Sequence, residues 1–284
     1  MRFQRILLVL GLAVLFGVGI MVVGCSNDDE APAYIVGPMD DPEFMVVQDQ
    51  IEIFVDSTVQ ALENGLNSII NVTSEYDDQI DPIYYGPVKP DSDYVNAVYA
   101  NGWHVAEVSR VRAGYTFTLR DSIQFYNGNA IQQGPNNIDS LAYRHRWSYM
   151  NHDTTASHTD LEAANSFTFQ NLNSGMAQTS GMHQLMIQNK FVSADSTVWR
   201  EYTFEANLQN VSINETGSGW VQGCPNSGYI NASLTSSYQK DQNDPVTATW
   251  NVSITFTDGI MTASVYQANK VWSYSASVCN AINY

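Results

Sequence analysis

The stretch "VTATWNVSITF", Val246 to Phe256, alternates without a break. Val246, Ala248, Trp250, Val252, Ile254 and Phe256 fall on one side, and Thr247, Thr249, Asn251, Ser253 and Thr255 on the other. A period of two is the geometry of a β-strand, whose successive side chains point to opposite faces of the sheet. One face here is apolar and the other is hydroxyl- and amide-bearing, so the strand is half-buried. "VWSYSASV" repeats the pattern with Trp272, Tyr274, Ala276 and Val278 inward, and "YINASLTSSY" with Ile230, Ala232, Leu234 and Tyr238. Working back toward the N-terminus, similar runs predict strands over 103–112, 115–125, 142–150, 166–172, 183–192 and 198–213, and another follows over 260–266. Turn chemistry separates them: "YNGN", "NETGSG" and "TDG" carry the residues that tolerate positive φ.

Short consecutive strands with one wet and one dry face make antiparallel meanders. The region 103–280 is therefore expected to hold about ten strands. Too few of them are long enough for a bilayer-spanning barrel, which needs strands of about ten residues with a lipid-facing side throughout.

Upstream the period changes. In "DDPEFMVVQDQIEIFVDSTVQALENGLNSIIN" the apolar residues Phe44, Val47, Ile51, Phe54, Val55, Leu62, Leu66 and Ile69 recur mostly at steps of three and four. That is a helix of about residues 41–70 with one apolar stripe. Asp41 suits the N-cap, Pro42 the first turn, and Glu43 the positive end of the dipole. Residues 74–100 contain Pro82, Pro87 and Pro90 and read as irregular. The fold class is α+β, mostly β. One N-terminal amphipathic helix packs on a curved antiparallel sheet or incomplete barrel, with a β-sandwich as the alternative.

The charge is lopsided. The formal net charge is −17, and between Asp28 and Asp93 there are 16 acids against one base, Lys89. Nucleic-acid binding needs a cationic footprint and is excluded, as is adsorption to anionic headgroups. No Asp-x-Asp-x-Asp-Gly loop for calcium is present.

The first residues have their own grammar. Arg2 and Arg5 precede an apolar run, Ile6 to Gly24, which stops at Cys25. A charged start, an apolar stretch and a small residue before a cut mark an export signal. "VVGC", Val22-Val23-Gly24-Cys25, resembles the lipobox of bacterial lipoproteins. The resemblance implies a signal peptide at 1–24, a lipid anchor on Cys25 and an acidic tether at 25–40. A single domain, 41–284, follows. Ser26 in place of Asp resembles lipoproteins sent to the outer membrane, and "SNDDE" resembles short surface-export signals. The protein is expected in the bacterial cell envelope, on the periplasmic or outer face of the outer membrane. In that oxidising compartment Cys224 and Cys279, without CxxC spacing, read as a structural disulfide. Five Asn-x-Ser/Thr sequons, at Asn71, Asn210, Asn214, Asn231 and Asn251, are given no role.

Candidate chemistry is sparse. "YRHRWSYMNHDTTASHTDLE" gathers His145, His152, His158, Asp153, Asp160 and Glu162, the residue types that hold zinc. Their spacings match no compact ligand motif, and a hairpin with polar ends is the plainer expectation, so no metal is assigned. "NSGMAQTSGMH", with Ser174, Ser180 and His183, lacks the glycine before serine of a nucleophile elbow and reads as two turns. Glu201 and Glu205 share a strand face with Thr203 between them, which places a solvated face before a glycosidase pair. Trp250 and Trp272 alternate with aliphatics and belong to the core. Trp103, Trp147, Trp199 and Trp220 remain for core packing, for sugar stacking or for lining a cavity.

No cofactor and no enzyme activity are expected. The sequence favours a non-catalytic module that encloses a hydrophobic ligand. The alternative is a structural or adhesion lipoprotein whose core is filled by its own side chains.

Overall fold

The computed structural model describes residues 35–37, 41–71, 94–215 and 224–278. In chain order the elements are β1 (Ile35–Val36), α1 (Pro42–Asn71), β2 (Tyr94–Ala100), β3 (Trp103–Val111), β4 (Tyr115–Asn127), β5 (Ala130–Gln132) and β6 (Ser140–Asn151). Then come β7 (His158–Gln170), β8 (Met176–Val192), β9 (Thr197–Asn214), β10 (Pro225–Lys240), β11 (Val246–Thr257), β12 (Ile260–Gln267) and β13 (Lys270–Ser277). They form one open, curved, 13-stranded sheet in the order β1-β13-β12-β11-β10-β9-β8-β7-β6-β4-β3-β2, with β5 paired to β4. Every pairing is antiparallel except β1 on β13, which is parallel.

The ten expected strands correspond to β3, β4, β6 and β7 to β13. Three were not anticipated. β2 lies inside the span read as irregular, because the prolines of that span all precede it. Asn101 and Gly102, at φ 52° and 81°, make the mirror-image turn that joins β2 to β3. β1 lies inside the span assigned to the tether: Ile35 and Val36 pair with Lys270 and Val271, and the backbone N–H of Gly37 donates to the Val271 carbonyl at 2.9 Å. β5 is a three-residue return on β4. The second turn expected in "NSGMAQTSGMH" is a bulge within β8, where the register slips between Thr179 and Gly181.

Helix α1 lies across the strands rather than along them. Its N-terminal Phe44 stacks on Trp272 of β13, with ring centroids 5.5 Å apart and planes 11° from parallel. Midway, Phe54 stacks on Phe204 of β9. Near its end, a Cβ added at Gly65 would stand 2.8 Å from the Phe169 ring of β7 and 3.0 Å from the Tyr143 ring of β6. From β13 to β6 is seven strand steps of about 4.8 Å, or roughly 34 Å. From Phe44 to Gly65 the helix rises about 31 Å. Helix length thus matches the width of sheet it covers.

Phe44, Val47, Ile51, Phe54, Val55, Leu62 and Leu66 are all 0–1% exposed, so the expected stripe is buried over these residues, and the Ile69 side chain lies outside those described. Each such side chain contributes about 1.5–3 kcal/mol by leaving water. The Asp41 carbonyl accepts the N–H groups of Phe44 and Met45, and its carboxylate meets the Lys270 ammonium at 3.2 Å, tying the helix start to β13.

Candidate functional site

The sheet has two faces of opposite chemistry. The inner face carries α1 and is mostly apolar; His104, Arg110 and Thr179 are buried polar groups on it, and four further polar side chains stand together in one row. A row perpendicular to the strands runs Asp121, His145, Asn165, His183, Ala206 and onward to Trp272. Its first four members are polar and form two hydrogen-bonded pairs. Asp121 Oδ1 meets His145 Nδ1 at 2.5 Å and accepts the Tyr143 hydroxyl at 3.1 Å. His183 Nδ1 hydrogen-bonds to Asn165 Oδ1. His183 is fully buried and packs against Phe54 of the helix at 5.1 Å between ring centroids. Its Nε2 has no hydrogen-bond partner among the described residues. Burial, reinforced by the His145 imidazole, pushes the His183 pKa down from 6.5 to about 3. The ring is therefore neutral, with Nδ1–H donating to Asn165.

The three histidines considered as metal ligands stand in different places. His145 faces inward. His152 is exposed at the end of β6, its Nε2 2.7 Å from the Thr116 hydroxyl. His158 is on the outer face, edge-on to Trp199 and 3.5 Å from Asp160. No group of three metal-binding side chains occurs among the described residues. The hairpin is as expected: Asp153 Oδ1 accepts the backbone N–H groups of Thr155 and Ala156 and the Thr155 hydroxyl, which closes the "DTTAS" turn. Those bonds hold the Asp153 carboxyl below the usual carboxylate range.

The outer face is the wet one, and its middle strands carry a groove. Cross-strand register places His158, Lys190, Trp199 and Gln239 in one row and Asp160, Gln188, Glu201 and Ser237 in the next. Glu162, Met186, Thr203 and Thr235 follow, then Ala164, Gln184, Glu205 and Ser233. Gln188, Trp199, Glu201, Ser237 and Gln239 line a hollow of about 270 Å³. A second, of about 140 Å³, continues from it between Glu162, Gln184, Met186, Thr203 and Glu205. Glu201 and Glu205 thus share the solvated face assigned to them, and each lines one of the two hollows on it. Gln188 Nε2 donates to Glu201 Oε2 at 3.2 Å, fixing both groups. The Lys190 ammonium sits 5.2 Å from the Trp199 ring centroid, and Lys190 is only 6% exposed, so the indole is held from that side.

Of the remaining tryptophans, Trp250 and Trp272 are buried as expected. Trp147 packs at the edge of the core, and the Arg144 guanidinium covers Trp103 at 4.5 Å. Trp220 lies outside the described residues, as do Cys25, the lipobox and Cys279. Cys224 is half-buried just before β10. Among the described residues no helix is long and apolar enough to cross a membrane.

In the sequence Glu201 and Glu205 stand out as a pair and Trp199 separately. Reading the sequence missed Gln188, Ser237 and Gln239, which join them only through strand register. Comparison of the chain with protein-family models, with curated proteins and with solved structures finds no match.

Proposed function

We propose that this protein is a non-catalytic lipoprotein of the bacterial cell envelope, anchored in the outer membrane by lipid on Cys25, whose sheet is a rigid platform for surface interaction. The observation that carries this reading is the filling of the inner face. Helix α1 occupies it from β13 to β6, with Phe44, Val47, Ile51 and Leu62 at 0% exposure. A carrier of hydrophobic ligands needs an apolar cavity of a few hundred Å³. Here the helix stands where such a ligand would lie, and the two hollows described above open on the polar face. Lipoprotein anchoring rests on Arg2, Arg5, the apolar run and Val22-Val23-Gly24-Cys25. An acidic chain of this net charge stays soluble and self-repelling beside an anionic surface.

The test is native mass spectrometry of the chain from Ser26 onward, purified from a bacterial envelope extract. A mass without adduct supports the platform. A co-purifying apolar molecule, released on denaturation, overturns it in favour of a hydrophobic-ligand carrier.

A further inference from the structure

We infer that the groove on the outer face, walled by Trp199 and floored by Gln188, Glu201, Ser237 and Gln239, binds an uncharged oligosaccharide. This deepens the platform reading and rests on it.

The groove selects its ligand by exclusion first. It lies on β8, β9 and β10, all interior strands whose backbone groups are already paired, so a peptide cannot join by strand addition. Its lining is an amide- and carboxylate-bearing surface with one indole, without the deep apolar pocket that anchors a protein hot spot or a lipid chain. Glu201 in the first hollow and Glu205 in the second disfavour phosphates, sulfates and uronic acids, while Glu162 is paired with the Arg146 guanidinium at 2.6 Å.

What is left matches a neutral polyol. A sugar hydroxyl donates one hydrogen bond and accepts two. Carboxylates accept from it, and the glutamine amides and the serine hydroxyl do both. The Gln188–Glu201 hydrogen bond holds an acceptor and a donor side by side, the arrangement two adjacent hydroxyls need. The Lys190 ammonium lies over one face of the Trp199 indole and holds the ring, so the opposite π-face is the one that would meet the C–H side of a pyranose. The four rows from Trp199 to Glu205 span about 20 Å of strand, room for several sugar units rather than one.

The test uses the soluble chain from Ser26 onward on a glycan array carrying neutral and anionic oligosaccharides, followed by calorimetric titration of the best neutral member. Binding is expected to neutral glycans. Trp199→Ala is expected to weaken it by about tenfold or more. Gln188→Ala weakens it by about three- to tenfold, and Trp199→Phe retains part of it. Thr262→Ala, on the same face outside the groove, leaves it unchanged. Circular dichroism confirms that each variant is folded. An array without a neutral hit, a preference for anionic glycans, or binding that survives Trp199→Ala overturns the assignment. A blank array with an adduct-free native mass removes the sugar site and leaves the platform; a lipid adduct removes the platform, whatever the array shows.

Discussion

Phe54 of the helix and Phe204 of β9 lie with ring centroids 4.8 Å apart and planes 6° from parallel. The pair joins the middle of α1 to the middle of the sheet. Phe54 is 1% exposed and Phe204 0%. Phe54→Ala leaves a cavity roofed by a long helix that cannot collapse into it, and is expected to cost about 3–5 kcal/mol. Urea denaturation checks this through a lowered midpoint at unchanged slope.

Gly65 sets two effects against each other. Alanine is the better helix former by about 1 kcal/mol. Yet its Cβ would meet the buried Phe169 ring at 2.8 Å. Overpacking of this kind costs about 1–3 kcal/mol, so Gly65→Ala is expected to lower the melting temperature. Gly114→Ala, where nothing lies within 4 Å of the new Cβ, leaves it nearly unchanged.

Gly228 of β10 has φ 102°, and a Cβ there would stand 2.5 Å from the Asn210 carbonyl oxygen and from the Val211 Cα. Both obstacles are backbone, so neither rotates aside. Gly228→Ala is expected to cost about 1–3 kcal/mol from strain alone. The loss appears as a lower melting temperature, with amide-exchange protection falling first in β9 and β10.

His183 makes the fold acid-sensitive. In the unfolded chain it binds a proton below pH 6.5; in the folded chain only near pH 3. Its contribution is therefore complete above pH 6.5 and is lost as pH falls through that window. The loss is about 1.4 kcal/mol per pH unit, roughly 5 kcal/mol in all. Urea midpoints measured from pH 7 to pH 4 are expected to fall less steeply for His183→Leu than for the wild type. Parallel curves would show that the imidazole plays no part.

Cys224 and Cys279 are proposed as partners closing a loop of about 55 residues, worth roughly 4 kcal/mol by restriction of the unfolded chain. Non-reducing peptide mapping is expected to yield one linked peptide pair containing both. Metabolic labelling with palmitate is expected to mark the full-length wild type and not Cys25→Ala.

The legible parts of this protein were those with local periodicity. Strand alternation in Val246–Phe256 and the three-four steps from Phe44 to Leu66 are properties of neighbouring residues, so each element and its buried face could be read directly. β2 shows the limit of reading by composition: the prolines of residues 74–100 all precede it, and Asn101-Gly102, a hairpin signal, follows it directly. β1, two residues long, has no period to read and exists only because β13 offers it an edge.

What tertiary structure alone decided is adjacency between strands. Gln188, Glu201 and Ser237 are far apart in the chain and become one groove floor because β8, β9 and β10 pair in a particular register. A slip of one residue would turn each of them to the inner face. The same register carried His145 and His183, which the sequence placed in two unrelated motifs, into one buried row with Asp121 and Asn165. It left His152 and His158, the neighbours His145 had in the sequence, elsewhere. Local sequence dictates which way a side chain points along its own strand. The side chains standing next to it across the sheet are chosen by hydrogen-bond register, which no single segment contains.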